Sequence, residues 1–417
     1  MSQVRALSRY LGFTGREPMP RQLRTMMVGI TLSAIGNGLV MPFYFIYMTN
    51  VRGIHTATAG LILGWGGVVS LAAAPLVGTG IDRFGAKKIL PAALFISAIG
   101  YASIAFVDSP LKGFLAATVC SIGQAGKRPA QTSINTQLTA DHQREHVYGV
   151  QFALLNFGIG LGAFIGSLVV EVKDVQTFQF LFFGNGLTYI LYLLAVLSIG
   201  ALPKSTYDHE GEAGSWRDVL ADRRYVRFWW VALGAIFFGY SQIEVGFASF
   251  VVNVAGQGTE MLAWAAAANT LTIALFQMWF IARVQSFPRR NGLITAILVW
   301  ALAWVFIALG GLLSDTWWIP GLFFVGGWIV FAVGEMLWSP LAPAIVNQMA
   351  PDHLRGRYNS ASAATWQIGA IFGPVLAGAL IGHGLAWYWI TGCIIGSLLT
   401  AFAASRMSLP ERIERPA

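Results

Sequence analysis

The sequence predicts an all-helical polytopic membrane protein, with twelve transmembrane helices in two pseudo-symmetric six-helix bundles. Three observations carry that expectation. Of 417 residues, 56% are hydrophobic and only 11% charged, against about a quarter charged in soluble domains; the mean hydropathy is +0.62. Apolar runs of the roughly 20 residues that cross a bilayer recur along the whole chain. Finally, a shift of 211 positions returns ten of the forty residues between Gly123 and Gly162 unchanged.

The apolar runs lie near 25–49, 57–81, 89–107, 111–138, 148–170, 177–201, 228–254, 261–282, 292–313, 317–349, 359–381 and 385–405. Only helices and closed barrels satisfy their backbone polar groups in lipid, and these runs lack the alternation of a barrel. The repeat pairs Gly123, Pro129, Ile134, Gln137, Asp141, His142, Arg144, Ala153, Gly158 and Gly162 with Gly334, Pro340, Ile345, Gln348, Asp352, His353, Arg355, Ala364, Gly369 and Gly373. The polar string Asp-His-x-Arg, in phase with prolines and glycines, marks a duplication into two halves of one orientation. The resulting division is a tail at 1–24, a first bundle at 25–202, a linker at 203–227, a second bundle at 228–405 and a tail at 406–417.

The N-terminal stretch, with Arg5, Arg9, Arg16, Arg21 and Arg24, is expected to be a loose basic cytoplasmic tail, the alternative being an interfacial helix through Val4, Leu7, Tyr10 and Leu11. It is basic and polar, and the first apolar run is too long for a cleavable signal peptide. In the linker, Ser215-Trp216-Arg217-Asp218 fits a helix-capping pattern. Trp216, Val219 and Leu220 then give a short surface helix its apolar face. The remaining loops are short and leave no extramembrane domain for an enzyme active site.

The formal charge of +8 is topological. Of 27 Lys and Arg, 22 fall in alternate loops, three in the opposite loops (Arg52, Lys112, Lys173) and two inside a span. This positive-inside asymmetry places both termini in the cytoplasm of a bacterial inner-membrane protein and excludes a nucleic-acid footprint. Cys120 and Cys393 both lie in spans. With no Cys or His cluster, neither a disulfide framework, a metal site nor another cofactor is expected.

The most specific local motif is Gly78-Thr-Gly-Ile-Asp82-Arg83-Phe-Gly85-Ala86-Lys87-Lys88. A span ends, glycines permit a tight turn, and a carboxylate sits among basic residues. There it can cap a helix N-terminus and pair with Arg83, as a lock kept in one conformation and broken in another. The stretch resembles the loop signature of the major facilitator superfamily between its second and third helices. Gly78, Asp82, Arg83, Gly85 and Lys87 stand in matching places, and Ala86 departs from the usual basic residue. The resemblance covers essentially the whole chain. It implies two six-helix bundles around a central cavity, lined by the first, fourth, seventh and tenth spans, with halves that rock to open alternate sides.

Four ionisable residues lie well inside spans: Lys127 and Arg128 in the fourth, Glu244 in the seventh and Glu335 in the tenth. Each costs about 2.5–3.5 kcal/mol at a helix centre unless it is paired or faces a cavity. The repeat aligns Glu335 with Gln124, which shares a helix face with Lys127 and Arg128. Acids and bases are therefore expected to face one another across the pseudo-symmetry axis, either as exchangeable pairs or as a permanent ion pair that locks helices. Gly334-Glu335-Met-Leu-Trp338-Ser-Pro340 resembles the tenth-span segment of proton-coupled multidrug antiporters, which implies that Glu335 is a proton or cation site. Glu244, in Ser241-Gln-Ile-Glu244-Val-Gly246, is similar to an acidic residue of their seventh span. Gln151 stands where some relatives carry another acid. Gly158-x-Gly160-x-Gly162-Ala163-x-x-Gly166 resembles their fifth-span motif with alanine in place of proline, and its small residues permit close helix contact. Asn37, Tyr44, Tyr47, Gln242, Trp338, Trp366 and Gln367 are candidate cavity contacts.

The expectation is a monomeric secondary active transporter in the lipid bilayer that exports a small organic molecule in exchange for protons. The alternatives are a carrier of an organic anion bound by Lys127 and Arg128, a lipid flippase, or a non-transporting sensor. An enzyme is not expected. No nucleophile–base pair, metal cluster or phosphate loop is visible, and Gly123-x-x-Gly126-Lys127 lacks the strand and spacing of a phosphate-binding loop.

Overall fold

The computed structural model describes residues 19–171, 174–200, 202, 214–258, 260–284, 288–314 and 318–409. The tail stretch around Val4, Leu7, Tyr10 and Leu11, read as loose or as an interfacial helix, lies outside the described residues. The first half contains α1 (Arg21–Val40), α2 (Thr56–Phe84), α3 (Ala86–Ile104), α4 (Pro110–Gln137), α5 (Arg144–Val169) and α6 (Val175–Ser198). A short helix, α7 (Trp216–Ala221), precedes α8 (Arg223–Phe238), α9 (Glu260–Val284), α10 (Arg289–Leu312), α11 (Ile319–Met349), α12 (Arg355–Gly382) and α13 (Ala386–Ser405).

Among the described residues ten helical segments are long and apolar enough to cross a membrane, and α8 with its bent continuation is an eleventh when counted as one span. Helix α4 completes the expected twelve. It has 28 residues, but Gln124, Lys127, Arg128 and Gln131 make it too polar to qualify on apolarity alone. It packs against α2 and α3, inside the bundle.

Helix α1 packs on α5 and α6, and α3 on α4 and α6; in the second half α10 packs on α11 and α13, and α8 on α12 and α13. The main buried apolar clusters divide the same way. Leu23, Ile30, Leu94 and Tyr192 belong to one half, and Phe228, Trp300, Trp338 and Leu341 to the other. Outward faces expose Leu76, Leu111 and Leu168, as lipid contact requires. Between helices in lipid the hydrophobic drive is weak, so close backbone approach matters. The glycines of the fifth span supply it: a Cβ on Gly162 would lie 2.0 Å from the Ile35 carbonyl oxygen.

Two spans are broken. The first stops before Pro42 and resumes as an α-helical turn, Tyr44–Ile46, that runs into a π-helical one, Tyr47–Val51. The seventh bends by 41° beyond Gly239, where a Cβ would meet the Ala235 carbonyl oxygen at 2.5 Å and the Trp300 ring at 2.7 Å. Side chains satisfy the freed backbone. Buried Gln242 donates from Nε2 to the Phe237 carbonyl at 2.9 Å, and its Oε1 accepts from Trp389 Nε1 at 2.8 Å.

The linker helix is as expected, with a full capping box between Ser215 and Asp218. Val219 enters the second-half core, while Trp216 Nε1 donates to Thr79 Oγ1 of α2 at 3.1 Å. The surface helix thus touches both halves.

Candidate transport site

The halves are joined at the end that bears the basic loops. Asp82 closes α2, and its Oδ1 accepts from the Gly356 amide at 2.5 Å. Its Oδ2 accepts from the Arg357 amide at 3.2 Å and from Arg357 Nη1 at 2.8 Å. The carboxylate therefore caps the N-terminus of α12, where amides and dipole favour an anion. The capping role is as anticipated; the ionic partner is not. Asp82 pairs with Arg357 of the opposite half rather than with Arg83, whose guanidinium lies 5.4 Å from the Phe84 ring centroid. Adjacent helical residues point about 100° apart, so Asp82 cannot meet its neighbour while facing α12.

Glycines make this approach feasible. A Cβ on Gly356 would sit 2.6 Å from Asp82 Oδ1, and one on Gly78 would sit 3.0 Å from Arg357 Cα. Gly85, at φ +86°, turns the chain into α3. Lys87 Nζ donates to the Gly200 carbonyl at 2.5 Å, beyond the end of α6.

A second bridge was missed by the sequence reading. Arg289 Nε donates to Glu145 Oε1 at 2.7 Å, with both side chains under a tenth exposed. Nearby, Asn347 Nδ2 donates to Tyr148 Oη at 3.3 Å. The duplicated polar string also gains a physical account. In both copies a single turn carries an ion pair, Asp141–Arg144 and Asp352–Arg355, just ahead of α5 and α12.

Deeper in the spans, the expected pairing of Glu335 with Lys127 and Arg128 does not form. Among the described residues no carboxylate reaches ion-pair distance of Lys127 or Arg128. Half-buried Lys127 instead donates to Tyr189 Oη at 3.1 Å and lies 4.9 Å from that ring's centroid. Gln124 Nε2 donates to the same hydroxyl at 2.5 Å, and Tyr189 in turn donates to Asn37 Oδ1 at 3.0 Å. Tyr101 stacks on Tyr189 at 5.2 Å. Asn37, Gln124 and Lys127 thus converge on one hydroxyl. Sequence reasoning passed over Tyr189.

Arg128 crosses to the other half. Its guanidinium lies 4.6 Å from the centroid of Trp366, and the residue is exposed although nine residues, or about 14 Å of helix, separate it from the end of α4. Open space therefore reaches Arg128 inside the span. Trp366 meets Tyr240 edge-on at 4.7 Å, and Tyr240 hydrogen-bonds Glu335. Glu335 is 5% exposed, and its Oε2 accepts from Asn269 Nδ2 at 2.6 Å. Glu335 is thus held by neutral donors, separated from Arg128 by two aromatic rings. Asn269 and Tyr240 were also missed, although an asparagine in the eighth span was a visible signal.

The remaining candidates separate. The side chain of Glu244 lies outside the described residues; its backbone occupies the π-helical turn Ile243–Phe247. Gln242 serves the broken span rather than a cavity. Trp338 is buried against Trp300 at 5.5 Å, so it belongs to the core. Tyr47 donates to the Ala105 carbonyl at 2.8 Å near the opposite end. Tyr44 packs edge-on against Phe182 at 6.2 Å. Gln367 lies in α12 opposite Gly67. Both cysteines are free and buried, and the described residues contain no group of metal-ligating side chains.

Repeated helical bundles, bridged at one end and carrying charged side chains within their spans, define a class of polytopic membrane proteins. The chain belongs to the Major Facilitator Superfamily, which it matches over residues 26–263 and 251–416. It is 24% identical over 418 residues to a Na(+), Li(+), K(+)/H(+) antiporter of Planococcus maritimus, covering 90% of this chain and 93% of that one. It is 23% identical over 372 residues to the multidrug resistance protein MdtH of Aeromonas hydrophila, covering 88% and 90%. Among solved structures, the human organic anion transporter MFSD10 (TETRAN) superposes with a TM-score of 0.74 at 15% identity, covering 93% of this chain and all of that one. The protein is thus a multi-pass member of a transporter family.

Proposed function

We propose that the protein is a secondary active transporter that exports a small organic molecule across the bacterial inner membrane in exchange for protons, with its basic end in the cytoplasm. The carrying observation is Glu335, a buried carboxylate held, among the described residues, by neutral donors. Removing a carboxylate's charge from a buried ion pair strands a cation, at a cost of about 3–5 kcal/mol. Glu335 can take up and release a proton without that cost. Tyr240 and Trp366 then connect it to Arg128, so proton and substrate can sense one another between the halves. The likeness to a cation/H(+) antiporter and to a multidrug resistance protein supports this direction. The bridges at Asp82 and Glu145 would hold the cytoplasmic side shut and break as the halves rock.

The test is transport in proteoliposomes under an imposed proton gradient. Glu335→Gln should abolish gradient-driven transport while leaving substrate exchange without a gradient. Gradient-driven transport at wild-type rate would overturn the assignment.

Arg128 favours a second reading, an organic-anion carrier. Its guanidinium is exposed within the span and has no carboxylate partner among the described residues, and Arg is well suited to bind planar anions. A thermal-shift screen of acidic, basic and neutral compounds separates the readings, because ligands that bind the native state raise its stability. In the anion reading, Lys127→Gln with Arg128→Gln removes stabilisation by acidic compounds alone; loss of cationic hits instead would refute it.

A further inference from the structure

A groove of about 1010 Å³ runs down the outer face of the second half, between α8, α12 and α13. Trp230, Phe238, Phe372 and Leu399 are among its walls, and Arg227 and Arg406 stand with them in its lining. Among the described residues its lining holds no acidic side chain. Both arginines are exposed, and neither has an ion-pair partner among the described residues. The Arg406 guanidinium rests on the Phe402 ring at 5.0 Å.

The geometry points to a binding site for an anionic phospholipid from the leaflet at the basic end, with its phosphate on Arg227 and Arg406 and its acyl chains along the groove. Three features choose this occupant. Arg227 lies in the first turns of α8, and Arg406 caps the last turn of α13, so both charges sit at headgroup level at the same end. From Arg227 to Phe238, eleven residues of α8 span about 16 Å, close to the ~15 Å of hydrocarbon in one leaflet. The walls are apolar and the rim cationic, which matches an anionic amphiphile and no neutral one in particular. Basic residues near an anionic surface each add about a fivefold preference, so the pair should favour an anionic over a zwitterionic lipid by roughly thirtyfold.

The experiment measures lipid retention by native mass spectrometry on the purified full chain, titrated with phosphatidylglycerol or phosphatidylcholine of identical acyl chains. Wild type should bind phosphatidylglycerol about thirtyfold more tightly. Arg227→Gln with Arg406→Gln should bring the two lipids near parity, with phosphatidylcholine binding unchanged as the sign of an intact fold. Arg223→Gln with Arg224→Gln, equally exposed but outside the groove, should keep the preference. Equal affinity of wild type for both lipids overturns the inference without any variant. So does equal loss in the two double variants, since that outcome assigns the effect to general surface charge.

Discussion

Replacing Asp82 by Asn tests the clamp between the halves most directly. The carboxylate accepts two α12 amides and Arg357 Nη1, and the pair is 5% and 10% exposed at its side chains. Breaking a buried pair by removing one partner costs about 3–5 kcal/mol. Asparagine keeps one acceptor for an amide and water reaches the gap on opening, so the lower end applies, near 3 kcal/mol. That is a shift of roughly 150-fold in the ratio of clamped to opened states. Spin labels on Lys88→Cys and Arg290→Cys, both exposed at the basic end of opposite halves, report the separation by electron–electron resonance in a background with Cys120 and Cys393 replaced by Ser. Asp82→Asn should populate a longer distance, and Arg83→Gln should not, because Arg83 lies on Phe84. An unchanged distribution in Asp82→Asn, or the same change in both variants, would refute the reasoning.

Three further outcomes follow from named contacts. Gly356→Ala should open the same end in the same assay, since its Cβ would lie 2.6 Å from both Asp82 Oδ1 and Ile81 Cβ. Trp366→Ala removes the ring beneath Arg128, a contact of about 0.5–2 kcal/mol. Binding of an acidic ligand measured by calorimetry should weaken roughly 2- to 30-fold, with a lower thermal midpoint from the packing lost on Tyr240. Gln242→Leu strands the buried Trp389 indole N–H at about 1–3 kcal/mol, so the thermal midpoint should fall.

Span positions were legible because crossing a bilayer imposes a length and a composition on each segment. The expected run at 111–138 and the helix Pro110–Gln137 differ by one residue at each end. The bends were not legible, because their causes are tertiary: Gly239 breaks the seventh span where Trp300 and Trp389 wait on other helices. The duplication located Glu335 and the Lys127/Arg128 pair at related depths but misjudged their partners. A repeat superposes backbones, while a long cation swings to whichever acceptor or ring is nearest, here Tyr189 and Trp366. Searching the spans for charge also passed over Tyr189, Tyr240 and Asn269, the neutral groups that hold the charged ones. Gln242 and Trp338 were promoted as polar and aromatic residues of the spans, and the core consumes both.

The two bridges at the basic end show how duplicated halves acquire unlike contacts. Both α5 and α12 begin after the same Asp-His-x-Arg turn, and both N-termini favour a carboxylate. At α12 the carboxylate comes from the other half, as Asp82, and the cation Arg357 lies on α12 itself. At α5 the ownership is reversed: Glu145 lies in the first turn of the helix and Arg289 is contributed by the other half. Each interface thus carries one acid and one base, with the polarity exchanged between halves. A swap of Glu145 and Arg289 alone would put Arg at a helix N-terminus beside Arg144, so it should not restore closure. The charge-swapped double variant should therefore open the basic end as far as Glu145→Gln alone, measured with the same two labels; a recovered wild-type distance would show that charge pairing, without the helix terminus, suffices.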